Sequence, residues 1–143
     1  MARRQRYTDR PHARFYSEWA NLPAWRVLRP EAKVLLVELL LRYRPGKNLF
    51  AVGGRTAADW VNCSRPTIAK AFEELEECGW LTVERIGKTR GPKDRRSASY
   101  ALTMYTDDWG HPPTRAFEKW TAPRERLKPR PITAKKRAPT VRN

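Results

Sequence analysis

Two cysteines, Cys63 and Cys78, and two histidines, His12 and His111, are all that 143 residues provide of those types. No Cys-x-x-Cys pair occurs, and neither histidine lies near a cysteine in sequence, so zinc-ligand spacing is absent. Reduced, partly buried thiols in a cytosolic protein are the expectation. Long apolar runs are missing too. The longest stretches from Val34 to Leu41 and is broken by Glu38. A bilayer span needs about 20 residues, so no membrane association is expected. The N-terminus is rich in arginine, but no apolar stretch follows it, which excludes a secretory signal and makes the cytoplasm the expected compartment. There is no Walker-type phosphate loop, no nucleophile motif and no metal cluster. Asp107-Asp108 is an isolated acidic pair suited to a cap or turn. No catalytic residue, metal, cofactor or small-molecule effector is therefore expected, and no internal repeat is seen.

What is present in excess is positive charge: 30 Lys and Arg against 15 Asp and Glu, a formal net charge of +15 and a pI near 10.6. Its distribution matters more than its size. Residues 1–14 carry a net +4, residues 85–96 a net +5 and residues 121–143 a net +7, while the rest of the chain is close to neutral at −1. A merely soluble protein mixes its charges over the surface. A near-neutral body with three basic appendages suits a polyanion, because clustered Lys and Arg displace the counterions of a phosphate lattice. Solvated tails are the bland alternative. If nucleic acid is the partner, the chain is expected to be nucleoid-associated.

Three regions follow: a basic, flexible N-terminal arm over 1–14, a folded domain over 15–120 including flanking aromatic segments, and a Pro-, Lys- and Arg-rich tail over 121–143 that lacks the apolar residues to order itself. Residues 15–28, with Trp19 and Trp25, are expected to pack on the body and to bend at Leu22-Pro23. Pro30 to Tyr43 repeats Ala32, Leu35, Leu36, Leu39, Leu40 and Tyr43 at helical spacing, which predicts a largely buried helix closed by Arg44-Pro45-Gly46. Leu49 to Val52 is a candidate short strand. Arg55 to Val61 is a short helix and Asn62-Cys63-Ser64 a tight turn. The next helix, 65–78, has Ser64 as N-cap, Pro66 in the first turn, Gly79 as its stop and Ile68, Ala71, Phe72, Leu75 and Cys78 on one face. Leu81–Arg85 and Ser97–Tyr105 alternate as strands, with Ala98, Tyr100, Leu102 and Met104 expected on one side. Between them lies a basic loop, 86–97. Trp109, Phe117 and Trp120 are expected to form a last packed segment.

The order helix, short strand, short helix, turn, longer helix and hairpin with a basic loop resembles the winged helix-turn-helix superfamily, over about residues 30–105. The nearest likeness is to helix-turn-helix regulators of bacterial plasmids and phages, including replication-initiator-like proteins. It is carried by Leu22-Pro23-Ala24-Trp25, by Arg29-Pro30-Glu31-Ala32-Lys33, by Arg65-Pro66-Thr67-Ile68-Ala69-Lys70-Ala71 with Leu75-Glu76 and Gly79, and by Tyr100-Ala101-Leu102-Thr103. Arg29 departs from the pattern, since Ser or Thr usually precedes the proline. The cap lost is worth about 1 kcal/mol. The implied fold is mainly α with a small β-hairpin, an α+β winged helix-turn-helix with flexible basic tails. The implied partner is double-stranded DNA.

Charge within the helix 65–78 points the same way. Ser64, Arg65, Thr67 and Lys70 sit in or before its first turns, and Glu73, Glu74, Glu76 and Glu77 fill its last turns. Four carboxylates are repelled by phosphate and sit at the unfavourable end of the helix dipole, so that end should face away from DNA. An ordinary amphipathic helix with a charged solvent face is the alternative. Arg65 suits bidentate reading of guanine, Thr67 a thymine methyl or a phosphate, and Lys70 and Arg55 phosphates. Lys88, Arg90, Lys93, Arg95 and Arg96 would arm the wing against the minor groove or backbone. Arg3, Arg4 and Arg6, with Lys128, Arg130, Lys135, Lys136 and Arg137, would add sequence-independent affinity from the tails. A transcriptional regulator is the leading expectation. An origin-binding replication initiator or accessory protein and an architectural nucleoid-type protein are the alternatives. The flanking aromatics can bury against the body or form a partner surface, so monomer and homodimer both stay open.

Overall fold

Three helices begin with a proline in their first turn, where the missing N–H costs no hydrogen bond. They are α1 (Pro23–Arg26), α2 (Pro30–Arg42) and α4 (Arg65–Glu77). A 3-10 helix, Ser17–Asn21, precedes α1, and Leu22 serves as the extended joint between the two, which places the expected bend. Helix α3 (Gly54–Val61) precedes α4, and a short α5 (Ala116–Lys119) is the last element among the described residues. Strands β1 (Leu81–Arg85) and β2 (Ser99–Leu102) pair antiparallel in a two-stranded sheet. The architecture is a mixed helical body with one small antiparallel sheet. This computed structural model describes residues 10–85 and 98–123. The basic loop 86–97 with its five cations, the arm residues Arg3, Arg4 and Arg6, and the tail residues Lys128, Arg130, Lys135, Lys136 and Arg137 lie outside the described residues.

Helix α2 packs against both α3 and α4. Ala32, Leu35, Leu36 and Leu39 are fully buried in that seam. The buried stripe of α2 is the one its apolar spacing predicts, Ala32, Leu35, Leu36, Leu39 and Leu40, with Tyr43 half-buried at its end. Val34, Val37 and Leu41 fall on the far side and are each more than 40% exposed. Their i, i+3, i+7 spacing puts them on one face together, opposite the buried stripe. From α4, Ile68, Ala71, Phe72 and Leu75 complete the core.

The register of the sheet is Leu81↔Leu102, Thr82↔Ala101 and Val83↔Tyr100, then Arg85↔Ser99, so one extra residue enters β1 near Glu84. The expected strand over Leu49–Val52 shrinks to a single pair. Phe50 and Tyr100 exchange both backbone bonds, at 2.8 and 2.9 Å. A tight turn at Arg44–Lys47 delivers the chain to this point, and α3 follows at once, so no length is left for a longer ladder. The alternation expected in Ala98–Met104 does not sort burial either. Ser99 and Ala101 through Met104 are all buried, because the chain beyond β2 folds over the sheet's other side.

The aromatic flanks converge on Trp80. Its ring stacks on Phe117 at 4.1 Å and meets Trp19 and Trp25 edge-on at 5.8 and 6.1 Å. Its indole N–H donates to the Ala24 carbonyl at 3.0 Å, in a buried bond that ties α1 to the sheet. Trp19 and Phe117 are therefore core residues, whereas Trp109, expected to join them, is 55% exposed beyond the turn made by Asp107. Packing also begins earlier than residue 15, since Ala13 rests against the core cluster. No helix among the described residues is long and apolar enough to cross a membrane.

Candidate nucleic-acid interface

The turn between α3 and α4 fixes the start of the longer helix. Asn62 takes the left-handed conformation, φ 59°, that ends α3. Its short polar side chain tolerates that geometry better than most. The Cys63 N–H then donates back to the Ala58 carbonyl at 3.1 Å. Burial pushes the Cys63 thiol above its ordinary pKa, and the Glu31 carboxylate adds to that. Cys63 is a free, half-buried thiol in the turn. Ser64 follows as N-cap, with its hydroxyl accepting from the Thr67 N–H at 3.4 Å and lying 2.8 Å from the Thr67 hydroxyl. At the far end Gly79 adopts φ +84°, and the Trp80 N–H closes on the Leu75 carbonyl at 2.9 Å. A Cβ on Gly79 would lie 2.7 Å from backbone atoms of Ala116 and Phe117, so this stop also gives α5 room to pack.

Five of the expected contact residues fall on this unit. Arg55 in the first turn of α3 and Arg65 at the start of α4 line one open cleft of about 520 Å³ together with Gly53 and Gly54. Thr67 and Lys70 line a different cleft, of about 170 Å³, shared with Arg29, Glu31 and Glu74. The helical repeat explains the split. At about 100° per residue, Arg65 and Thr67 fall on opposite margins of the exposed face of α4. Thr67 is half-buried and its hydroxyl is occupied by Ser64, so it shapes the helix start more than it offers a free contact. The centre of the exposed face in the first two turns belongs to Pro66, Ala69 and Lys70, all exposed. Pro66 and Ala69 were not among the expected contacts. Their helical angle was readable from the sequence, but small apolar residues carry no charge signal.

Arg29 is a second addition. Its side chain is 56% exposed, and its Nε lies 3.4 Å from one oxygen of Glu74. Its backbone N–H donates to the other oxygen at 3.3 Å. Glu74 thus supplies from α4 the N-terminal cap that Arg29 cannot give α2 itself. A carboxylate at that helix start is also favoured by the dipole. One of the four acidic residues in the last turns of α4 therefore has a structural task that no local pattern reveals. Glu73, Glu76 and Glu77 are exposed beside it.

The isolated Asp107-Asp108 pair works as a turn. Asp107 accepts from the Trp109 and His111 N–H groups at 3.0 and 2.9 Å, and the His111 ring lies 2.7 Å away. Asp108 accepts from the Asn48 N–H at 2.7 Å. Among the described residues no group of three or more His, Cys, Asp or Glu gathers as a metal site would require. No protein-family model, curated protein or solved structure matches this chain, which leaves its own residues to carry the functional reading.

Proposed function

We propose that this protein is a non-catalytic, sequence-specific binder of double-stranded DNA, built as a winged helix-turn-helix and acting as a transcriptional regulator. The observation that carries the reading is the polarity of α4 beside α3. Arg65 and Arg55 share one exposed cleft at the start of α4, and exposed carboxylates occupy its end. A major groove about 12 Å wide admits one helix, and side chains near the helix start reach base edges. The three-residue turn Asn62-Cys63-Ser64 and the length of α4 suit that docking, with α3 crossing the backbone and Arg55 on a phosphate.

On this reading Arg65 takes a guanine edge, Ala69 presents its methyl to thymine, and Lys70 and Arg29 meet phosphates on the other side of the helix. The loop 86–97 acts as the wing, and the tails supply affinity without base preference. If two copies bind together, their site is palindromic. Localisation to the nucleoid follows from DNA binding.

Selection of bound duplexes from a random pool tests this directly. One preferred motif should emerge, and at physiological salt it should bind about 10³-fold or more above random duplex. Arg65→Ala should relax preference at one position of the motif, a loss of about 1–3 kcal/mol in discrimination. Equal affinity for all duplexes, vanishing together as salt rises, would favour the architectural reading instead. Mapping of bound DNA in the native host separates the remaining two readings, since promoter enrichment marks a regulator and enrichment at one origin marks a replication initiator.

A further inference from the structure

At the C-terminal end of α2 the chain forms a second basic cleft, unrelated to the α4 surface. It encloses about 610 Å³, within the range of about 300–1,000 Å³ where small-ligand sites fall. Arg10, His12 and Arg14 come from the segment leading into the fold, and Arg44 from the end of α2. Tyr43 and Tyr105 stand in the wall, stacked face to face with centroids 3.8 Å apart and planes within 4° of parallel. No carboxylate lines this cleft.

The parts are held in place. The His12 ring lies 2.9 Å from the Arg10 carbonyl, which turns the segment on itself. One Arg44 nitrogen donates to the Leu41 and Tyr43 carbonyls at 3.0 and 2.7 Å, which caps α2 and fixes the guanidinium. An Arg side chain has five N–H groups, so donors are left over. Arg14 lies close enough to Tyr105 to draw its hydroxyl toward ionisation, although burial and the neighbouring tyrosines outweigh that and raise its pKa. Paired aromatic rings ringed by guanidinium groups are the combination that holds unpaired nucleotides: the π-face takes a base and the cations take its phosphate.

We propose that this cleft is a second binding site, for a phosphorylated nucleoside whose base stacks on the Tyr43–Tyr105 pair and whose phosphate sits among Arg10, Arg14 and Arg44. The source is either an unpaired nucleotide of a DNA strand or a free mononucleotide. Thirteen residues of α2 separate this site from Arg29 and the α4 surface, about 20 Å along the helix. The two sites therefore stand or fall separately.

The test uses the full chain with a twelve-nucleotide oligo-dT carrying one 5-iodouracil, and in parallel ATP and thymidine monophosphate. Photocrosslinking should mark peptides containing Tyr43 or Tyr105. Tyr43→Leu should weaken oligonucleotide binding about tenfold, in line with the loss of one stacked base. Arg14→Gln with Arg44→Gln should lower the slope of log affinity against log salt by about 1.4, two phosphate contacts on a single strand. Arg10→Gln with Arg14→Gln should do the same while leaving the α2 cap intact, which guards against a folding defect. Arg55→Ala with Arg65→Ala should leave the crosslink unchanged, whatever it does to duplex binding. Saturable mononucleotide binding lost in the arginine variants, without oligonucleotide crosslinks at the tyrosines, supports the site with the free nucleotide as its source. Crosslinks confined to other peptides, together with no mononucleotide binding, overturn the proposal. Where the tyrosines do crosslink, an arginine-pair effect on oligonucleotide binding no larger than that of Lys135→Gln with Lys136→Gln in the tail, again without mononucleotide binding, overturns it as well.

Discussion

Replacing Asn48 with alanine should cost this fold about 3 kcal/mol, estimated from the hydrogen bonds its amide makes. Asn48 is fully buried. Its Oδ1 accepts from the Leu102 N–H at 2.8 Å, and its Nδ2 donates to the carbonyls of Leu102, Thr106 and Tyr105 at 2.9, 3.2 and 3.4 Å. Alanine removes both ends of this clamp. The Leu102 N–H is then a buried donor without an acceptor, and a group orphaned in that way costs about 1–3 kcal/mol. The carbonyls lose a shared donor, and the void adds a smaller amount. The Asn48 backbone bond to Asp108 survives, since it does not use the side chain. For a folded unit of this size the loss corresponds to a fall of roughly 10–15 °C in Tm. Urea unfolding should show a lower midpoint with an unchanged slope, the sign of reduced stability without a changed denatured state. Asn48→Asp should be at least as harmful, because a second oxygen then faces three carbonyls. A loss below about 1 kcal/mol for Asn48→Ala, against the 1–3 kcal/mol of a single orphaned group, would refute the idea that this amide clamps the end of β2.

Gly79→Ala combines a left-handed backbone with a Cβ 2.7 Å from the backbone of Ala116 and Phe117. It should destabilise by about 2–4 kcal/mol, and a thermal midpoint within about 2 °C of the parent would contradict that. For Asp107, partial burial pushes the carboxyl pKa up, but bonds from the His111 N–H, the His111 ring and the Trp109 N–H outweigh it and hold the value below the ordinary 3.8. A depressed folded-state pKa gives stability that is present above about pH 4 and lost as pH falls through the folded value. Asp107→Asn should therefore flatten the acid limb of the stability profile, and an acid limb identical to the parent's would count against this turn. The Arg29–Glu74 pair has a 56% exposed arginine side chain, so a double-mutant cycle should return a side-chain coupling of no more than about 1 kcal/mol.

Most of the helical skeleton was legible because each helix carries local punctuation. Pro30 and Pro66 mark starts, Ser64 caps, and Gly79 stops, whereas Pro23, read as a bend, also starts the short α1. Those signals act within a few residues of where they are written. The failures are of another kind. The strand at 49–52 was read from β-forming residues, yet its length was set by the turn before it and the helix after it. Asn48 carries no signal that the sequence alone could show. Its importance comes entirely from partners 54 to 58 positions away. The candidate interface divides in the same manner. Arg55, Arg65 and Lys70 were legible as exposed cations, whereas Arg29 entered the site through a tertiary contact with Glu74.

That contact changes the meaning of the acidic end of α4. Taken as sequence, four carboxylates at the wrong end of a helix dipole had no local justification, and all four pointed to repulsion from phosphate. Glu74 now has a separate reason to be there, because it caps α2 and partners Arg29. On the proposed reading the orientation of α4 on DNA rests instead on the exposed Glu73 and Glu76. The same pair also carries positive charge around the helix. Arg29 is held next to Lys70 and Thr67, on the side of α4 away from Arg65 and Arg55. A helix entering the major groove has a phosphate strand on each flank, so cations on both margins suit that docking better than a single basic stripe would. On the proposed reading Glu74→Gln should then have two separable effects. It should weaken the fold slightly through the α2 cap, and it should raise affinity for all duplexes alike by removing a negative charge beside Arg29, with the motif preference set at the start of α4 unchanged.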